Sequence, residues 1–359
     1  MQITLEKILE ALSFVIEPDL KKDIVALNLV SKIEVKNGVI SFDLKISNPA
    51  MHNRKRMEEA CEHQLKRFLR PDIKMEATIS AMGKAHERAP EHRSILPNVK
   101  HIIAVASGKG GVGKSTVASN LAAGLAMQGF KVGMVDADIY GPSVPAMFDV
   151  AMEKPSTIEV DGKEYIKPIE NYGVKMLSIG FFSTPDQAVV WRGPMATKAL
   201  TQLFKDAYWG ELDFMVIDLP PGTGDVHLTM VQQVPLTGAI VVSTPQEIAL
   251  VDVRKALGMF SLPEINVPVL GLVENMAYFT PPELPENKYY IFGEGGAKEL
   301  AERMDINYLA EIPIVQSIRE AGDAGRPAVL QETTPQAIAF RDLATKVAEK
   351  VGLTVPKSV

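Results

Sequence analysis

The feature that most constrains this chain is a glycine-rich segment between two apolar stretches. It fits the phosphate-loop pattern G-x-x-x-x-G-K-[ST] and continues for one more residue, as Gly108-Lys109-Gly110-Gly111-Val112-Gly113-Lys114-Ser115-Thr116. Residues 101–106 before it are predicted to form a buried parallel strand, and residues 117–127 after it a helix that ends near Gly129. This order of strand, loop and helix indicates a phosphate-binding loop rather than an ordinary glycine turn.

Each residue type in this loop has a chemical reason to be there. Glycines let the backbone curl so that successive N–H groups face phosphate oxygens, and the N-terminus of the following helix adds partial positive charge. Lys114 is predicted to reach the β- and γ-phosphates of a nucleotide, and the Ser115 hydroxyl to ligate Mg²⁺. Residues 108–116 are therefore the predicted nucleotide-binding residues.

The composition indicates a folded protein of two or three domains. The chain has 359 residues, of which 46% are hydrophobic. A net charge of -6 argues against a protein that coats nucleic acid or an anionic membrane, so neither is expected as a partner. The single cysteine, Cys61, excludes an intramolecular disulfide, and neither a signal peptide nor an apolar run of about 18 residues is evident. We therefore expect a cytoplasmic protein.

The pattern of elements divides the chain into a small domain over residues 1–82, a linker over 83–98 and a large domain over 99–359. The small domain is predicted to be α+β, with helix 5–15, strands 30–35 and 39–46 joined across Asn37-Gly38, helix 54–70 and strand 74–79. The residues from 83 to 98 are polar and charged and include two prolines, which is typical of a linker.

In the large domain, predicted strands and helices alternate. The strands are 101–106, 131–135, 214–217, 239–243, 269–273 and a short one at 308–309, and the helices are 117–127, 194–207, 246–260, 296–304 and 335–351. An insertion over residues 156–182 is predicted to hold short β segments around Asp161-Gly162. The alternation predicts a doubly wound, mostly parallel α/β sheet that binds its ligands at the carboxyl ends of the strands.

Acidic residues follow two of these strands. Asp136 and Asp138 come directly after strand 131–135, and Asp218 follows strand 214–217. A carboxylate beside a phosphate loop can hold Mg²⁺ directly or through water, and a second one can orient the water that attacks the γ-phosphate. Each aspartate has the alternative role of a helix N-cap. The Gly-Thr-Gly at 222–224 is expected to move when the γ-phosphate leaves.

Several segments together carry a resemblance to a known family. They are the loop with Lys109, Asp136-Ala137-Asp138-Ile139-Tyr140-Gly141-Pro142-Ser143, Trp191-Arg192-Gly193-Pro194, Asp218-Leu219-Pro220-Pro221-Gly222-Thr223-Gly224-Asp225 and Val273-Glu274-Asn275-Met276. On these residues the chain resembles the Mrp (ApbC-type) ATPases, which are linked to iron–sulfur cluster carriage and belong to the deviant-Walker-A group with MinD, ParA and the nitrogenase iron protein. Residues 1–82 resemble the small domain that precedes the ATPase in many bacterial Mrp proteins.

The resemblance implies an ATP hydrolase with Lys109, Lys114 and Asp138 as catalytic residues. Lys109 would reach across a homodimer to the partner's nucleotide, and Asp138 would position the hydrolytic water. The family dimerises face to face around two ATP molecules, so the implied partners are a second copy of the chain and iron–sulfur client or scaffold proteins.

The resemblance also implies residues for Mg²⁺ and for the base. Asp136 and Asp218 would join Ser115 around Mg²⁺, partly through water. Asn275 would contact adenine, as would the loop after residues 312–313. ATP and Mg²⁺ are thus the implied cofactors.

The chain departs from the family where iron–sulfur ligands are expected. Mrp proteins usually carry C-x-x-C soon after the Glu-Asn-Met segment, but residues 277–293 contain no cysteine. The N-terminal domain of the family often has a cysteine after Pro-Ala, where this chain has Met51. Because thiolates are the usual ligands of such clusters, no iron–sulfur ligand is predicted. Cys61, on the apolar stripe of a helix, is predicted to be a small core residue.

The sequence leaves three functions open. The first is a Mg²⁺-dependent, Mrp-type ATPase in iron–sulfur cluster carriage or assembly. The second is an ATP-dependent adaptor or chaperone without a cluster, which the missing cysteines favour. The third is a positioning ATPase like MinD or ParA, which the N-terminal domain and the weakly basic C-terminal helix disfavour. The six histidines lack metal-ligand spacing and are predicted to lie at the surface or in the linker.

Overall fold

The computed structural model describes two compact units of the chain. They span Met1–Ala89 and Pro90–Val359. The described residues are 4–17, 22–27, 29–36, 39–46, 51–81, 95–182, 193–281, 283–284, 286–331 and 333–354. Most of the predicted linker therefore lies outside the described residues, and its last part does not behave as a linker, because Ile95 and Leu96 are buried in the core of the larger unit.

The smaller unit packs two helices and a mixed sheet. Its elements are α1 (Leu5–Leu12), β1 (Ile16–Glu17), β2 (Lys22–Asp23), β3 (Val30–Lys36), β4 (Val39–Ile46), α2 (Met51–Phe68) and β5 (Lys74–Ala81). Strand β4 is central, antiparallel to β3 and parallel to β5, while β1 and β2 form a separate ribbon. The predicted turn at Asn37-Gly38 lies outside the described residues. This architecture matches the predicted α+β unit.

Alternation along β4 sets the core of the smaller unit. Ile40, Phe42 and Leu44 are buried, whereas the residues between them are half-exposed, as expected for a strand with one face on the core. Cys61 of α2 is fully buried in the same core, as predicted.

The larger unit has the alternating order of strands and helices that the sequence predicts. Its strands are β6 (Val99–Ser107), β7 (Val132–Asp136), β8 (Ser156–Val160), β9 (Lys163–Lys167), β10 (Ile169–Asn171), β11 (Val174–Ser178), β12 (Leu212–Asp218), β13 (Gly238–Ser243), β14 (Val269–Phe279) and β15 (Tyr308–Ile314). Its helices are α3 (Lys114–Met127), α4 (Val144–Met147), α5 (Gly193–Lys205), α6 (Asp225–Gln233), α7 (Glu247–Phe260), α8 (Gly296–Arg303), α9 (Gln316–Asp323) and α10 (Pro335–Lys350).

Eight of the described strands form one sheet in the order β10-β11-β7-β12-β6-β13-β14-β15. All neighbours pair in parallel except β10, which is antiparallel to β11 at the sheet edge. The predicted doubly wound, mostly parallel fold is confirmed. Because β7, β12 and β6 are adjacent and parallel, their carboxyl ends meet at one edge, where the phosphate loop begins.

Helix α3 is buried on nearly all sides, since it lies between the sheet and α10. Small residues make this possible: a Cβ on Gly124 would stand 3.1 Å from the Cβ of Ala344 in α10. The helix that starts at the phosphate loop is therefore packed between the sheet and α10.

The structure differs from the prediction in the insertion and at the sheet edge. Only β8 and β9 form a separate hairpin, whereas β11, within the same predicted insertion, pairs in parallel with β7. Strand β15 runs to Ile314, well past the predicted 308–309, because it is an edge strand and tolerates Pro313. Helices α6 and α9 were not predicted. In the described part of the chain, no helix has the length and apolar character needed to cross a membrane.

Candidate nucleotide site

The phosphate loop takes the backbone path that its glycines were predicted to allow. Gly111 has φ 82° and Gly113 has φ 80°, both in the left-handed region that side chains disfavour. Gly113 is also the residue before α3, so the loop turns directly into the N-terminus of that helix at Lys114. The arrangement gives a concave backbone beside the positive end of a helix dipole.

Two glycines of the loop are also required by close packing. A Cβ on Gly108 would lie 2.4 Å from the backbone carbon of Asp252 in α7. A Cβ on Gly113 would lie 2.1 Å from Nδ2 of Asn275. The loop is therefore packed between α7 and Asn275 of β14. In contrast, apart from the chain neighbours, no atom of the described residues lies within 4 Å of a Cβ built on Gly110 or Gly111.

Asn275 supports the loop in this structure. It is buried within β14, and its Nδ2 donates a hydrogen bond to the Val112 carbonyl at 2.8 Å. This contact joins residues far apart in sequence and gives the side-chain amide of Asn275 a structural role in the loop. The predicted contact of Asn275 with adenine stays a prediction.

Lys114 is the centre of the site's electrostatics. Its side chain is only 6% exposed, and its Nζ donates to Oδ1 of Asp218 at 2.7 Å and to Oγ of Ser115 at 3.2 Å. Asp138 Oδ2 lies 3.5 Å from the same nitrogen. Two carboxylates from the ends of separate strands thus neutralise one buried ammonium. Of the predicted catalytic residues, Lys114 and Asp138 therefore lie together.

Asp218 has an unused oxygen. Its carboxylate is fully buried, and Oδ2 has no hydrogen-bond partner among the described residues. Burial raises the pKa of Asp218, and the ion pair with Lys114 offsets part of that rise. A free carboxylate oxygen next to the Ser115 hydroxyl is a set of hard donors, so these two residues fit Mg²⁺. In the described residues no three His, Cys, Asp or Glu side chains converge as a metal site.

Unlike Asp218, Asp136 uses both of its carboxylate oxygens in hydrogen bonds within the protein. One of its oxygens accepts from the Asp138 N–H at 3.2 Å, and the other accepts from the Val144 N–H at 3.2 Å and the Ser178 hydroxyl at 2.9 Å. Val144 is the first residue of α4, so this carboxylate accepts from the start of that helix, although the N-cap residue of α4 is Ser143 and not Asp136. Burial raises the pKa of Asp136 to about 7, and the charge of Asp218 contributes. The carboxylate braces the loop that carries Asp138.

The loop after β12 is fastened to its neighbours by backbone hydrogen bonds. The Gly222 N–H donates to the Ser107 carbonyl at 3.0 Å, and the Ala137 N–H donates to the Asp218 carbonyl at 2.9 Å. Gly222 has φ 84°, a conformation that glycine adopts readily. The predicted mobile Gly-Thr-Gly therefore lies directly beside the start of the phosphate loop.

Lys109 is half-buried, and within the described part of the chain it forms no ion pair. Its backbone carbonyl accepts from the Ser107 hydroxyl at 2.9 Å. Lys114 therefore serves the carboxylates of its own site, and the Lys109 ammonium is not used by them.

The prediction that all histidines are surface or linker residues is wrong for His227, which is 1% exposed in α6. The reason is that α6, which was not predicted, packs this residue against Phe260 of α7. Sequence analysis also missed two supporting residues. Ser178 comes from the insertion and holds Asp136, and Glu274 accepts from the Ala297 N–H at 2.7 Å to cap α8. The only signal for Glu274 was its place in the resemblance.

The segment where the family carries thiols is closed by other contacts. Phe279 and Tyr289 exchange two backbone hydrogen bonds of 2.8 Å, and the Lys288 ammonium lies 3.8 Å from the centre of the Tyr278 ring. Cys61 belongs to the other unit, and burial raises its pKa to about 12. Neither place offers a ready thiolate. Met51 begins α2, but its side chain lies outside the described residues.

Two family models match the chain, one for each unit. Residues 98–348 match a model described as the NUBPL iron-transfer P-loop NTPase. Residues 5–77 match a model described as an iron–sulfur cluster assembly protein.

Similar proteins cover both parts. The chain is 40% identical over 353 residues to an iron–sulfur cluster carrier protein of Synechocystis sp., across 98% of this chain and 99% of the relative. It is 46% identical over 271 residues to the iron–sulfur cluster transfer protein NUBPL of Dictyostelium discoideum, across 75% and 82%. A solved structure of a nucleotide-binding protein from Archaeoglobus fulgidus, in complex with ADP, is 39% identical with a TM-score of 0.59, across 69% of this chain and 95% of that one.

Proposed function

Since the chain belongs to the family of NUBPL iron-transfer P-loop NTPases, we propose that it is a Mg²⁺-dependent ATPase that acts in iron–sulfur cluster carriage or assembly on client proteins. The observation that carries the proposal is the ion-pair cluster of Lys114 with Asp218 and Asp138 at the mouth of a glycine loop. This cluster brings together a phosphate ligand, a metal ligand and a water-positioning carboxylate.

Lys114 serves the phosphates. Its ammonium is buried and lies 2.7 Å from Oδ1 of Asp218. Phosphate oxygens of ATP take over this charge, and the loop N–H groups of residues 108–116 complete the cradle. The Asp218 carboxylate would then be free to hold Mg²⁺.

Ser115 and Asp218 would hold Mg²⁺, which supplies charge neutralisation to the β- and γ-phosphates when bound. Asp136 already uses both oxygens within the protein, so it acts on the ion through water or by holding the loop in place. Asp138 is the residue with a carboxylate oxygen near Lys114 and partial exposure to the site. It is therefore the residue that orients the attacking water. Asn275 holds the loop and contributes to the adenine site.

We further propose a homodimer that closes around two nucleotides. Lys109 sits in the loop without an ion pair among the described residues, so its charge is available to a partner's phosphates. Exposed apolar side chains flank the loop: Ile248 of α7 is 69% exposed, and Tyr140 after Asp138 is 72% exposed. Gly108 packs directly on α7, the helix that carries Ile248, and Tyr140 follows Asp138 by two residues.

The iron–sulfur part of the proposal is supported by the relatives, which are named as cluster carrier and transfer proteins, and by the matched N-terminal model. The closed segment at Phe279–Tyr289 and the buried thiol of Cys61 favour a second candidate function, an adaptor or chaperone that holds a client or another carrier without a cluster of its own. Both functions use the same ATP cycle.

The test is activation of an apo-[4Fe–4S] enzyme by the purified chain in the presence of Mg·ATP, iron, sulfide and a reductant. We expect activation that needs ATP and is lost in Lys114→Ala. For a carrier this activation occurs in the mixture alone, whereas for an adaptor it occurs only after a second, cluster-loaded protein is added. Activation that is the same without the chain or without ATP contradicts the proposal.

A further inference from the structure

His227 lies in the first turn of α6, nine residues after Asp218. Its side chain is buried, and its Nδ1 lies 3.2 Å from the Pro220 carbonyl oxygen. The ring therefore folds back from α6 onto the loop that leaves β12. This loop joins the nucleotide site to α6.

The contact fixes the tautomer of the ring. A carbonyl oxygen only accepts hydrogen bonds, so Nδ1 must carry the proton and donate it. Burial lowers the pKa of His227 to about 4; the Pro220 hydrogen bond opposes that fall, and the charge of Lys114 adds to it. The ring is thus neutral near pH 7, with a lone pair on Nε2.

Nε2 is buried and has no hydrogen-bond partner among the described residues. An unpaired buried acceptor destabilises a fold, so its retention next to a nucleotide site calls for a partner in another state. Pro220 and Pro221 lack N–H groups, so the backbone N–H donors of the loop here are those of Leu219 and Gly222, on either side of them. The imidazole is a side-chain contact from α6 that reaches the loop.

We propose, on the basis of the proposed ATPase function, that His227 is a positioning residue that couples the loop at 218–224 to α6. Its Nδ1–H holds the Pro220 carbonyl, which keeps Asp218 set against Lys114. Its Nε2 accepts a hydrogen bond when nucleotide rearranges the loop. Movement of the loop on hydrolysis is thereby passed to α6.

Substitution of His227 by asparagine and by glutamine distinguishes the roles of its two ring nitrogens. The side-chain amide of His227→Asn places a donor where Nδ1 lies, whereas that of His227→Gln places its polar group near the position of Nε2. We expect His227→Asn to retain turnover within about threefold of the parent, and His227→Gln to lower kcat by about 10-fold, the equivalent of one lost hydrogen bond, with little change in KM for Mg·ATP.

His63→Gln, at an exposed position in the smaller unit, is the matched control. Melting temperatures of both His227 variants are compared with the parent, so that a folding defect is visible. Equal loss of kcat in Asn and Gln variants that melt alike overturns the proposal, as does a Gln variant with the parent's turnover.

The protonation state of the two ring nitrogens can also be measured directly, independently of turnover. Long-range ¹H–¹⁵N spectra of histidine-labelled protein should show a protonated Nδ1 and an unprotonated Nε2 without nucleotide. The Nε2 resonance should shift on addition of Mg²⁺ and a non-hydrolysable ATP analogue that is bound at saturation. An Nε2 resonance that stays unchanged overturns the coupling, whereas absence of turnover in the parent with a normal Nε2 shift overturns the proposed ATPase function instead.

Discussion

Lys114 Nζ lies 2.7 Å from Asp218 Oδ1, which joins the first residue of α3 to the last residue of β12. Both side chains are almost completely buried. A buried ion pair of this kind adds little net stability, because desolvation of two charges offsets their attraction. Its value lies in holding a cation ready for phosphate while keeping a carboxylate beside it.

Replacement of Lys114 by alanine is expected to weaken ATP binding by at least about 100-fold, or about 2.7 kcal/mol. The variant loses the charge-assisted contacts to phosphate, while the buried Asp218 is expected to take up a proton, since burial already raises its pKa. Calorimetric titration with ATP and Mg²⁺ measures the change. Lys100→Ala, at the opposite end of β6 and paired with Asp213, is the control. Unchanged affinity in Lys114→Ala contradicts the phosphate role.

Asp138→Asn is expected to bind ATP normally but to lower kcat by about 100-fold or more, because positioning of the water acts in the transition state. Steady-state phosphate release and equilibrium ATP titration give the two quantities. Asp342→Asn, on the exposed face of α10, is the matched control. Hydrolysis at the parent rate shows that Asp138 does not position the water.

Lys109→Ala is expected to reduce ATP-dependent dimerisation more than it reduces ATP affinity, because Lys114 already serves the chain's own nucleotide. Sedimentation velocity with saturating ATP is best performed in an Asp138→Asn background, which keeps ATP intact. Lys167→Ala on β9 serves as the control. A chain that carries Asp138→Asn alone and stays monomeric with bound ATP rules out the dimer itself.

Anaerobic reconstitution with iron and sulfide is expected to leave little or no stable [4Fe–4S] on the purified chain. The described segment around Phe279 and Tyr289 presents no thiol, and Cys61 is buried. Iron content and visible absorbance should be the same in Cys61→Ser. About four irons per dimer, lost in Cys61→Ser, would mean that this thiol reaches a cluster.

Alkylation of Cys61 by iodoacetamide at pH 8 should be slower in the native chain than in urea by about 10³-fold or more, because a pKa of about 12 leaves almost no thiolate. The raised pKa of Cys61 also makes the free energy of unfolding depend on pH. The thiol of the unfolded chain loses its proton from about pH 8.5, before the thiol of the folded chain does. The free energy of unfolding therefore falls by at most about 1.4 kcal/mol per pH unit from there toward pH 12.

The control variant for this prediction is Cys61→Ala, whose stability should not show the fall above pH 8.5 that is due to the thiol. Melting curves of both chains at pH 7.5 and pH 9.5 make the comparison. Rapid alkylation of the native chain, at a rate close to that in urea, contradicts burial of the thiol.

The sequence by itself determined the phosphate loop, the fold class and the absence of thiols at the family positions. These are local properties: glycine at required backbone angles, apolar runs of strand length, and the identity of residues in one segment. It also placed Cys61 in a core, because the periodicity of α2 is visible without a structure.

Tertiary structure alone decided which of the predicted residues act together. The Lys114–Asp218 pair and the Asn275–Val112 hydrogen bond join residues more than 100 positions apart. The first forms because β12 lies beside β6, and the second because β14 follows β6 and β13 in the order of the sheet. The same order gave Asp136 a bracing role through Ser178, a residue from the insertion. His227 is buried where its ring meets Phe260 of α7. Such contacts between distant segments depend on topology that a local pattern does not encode.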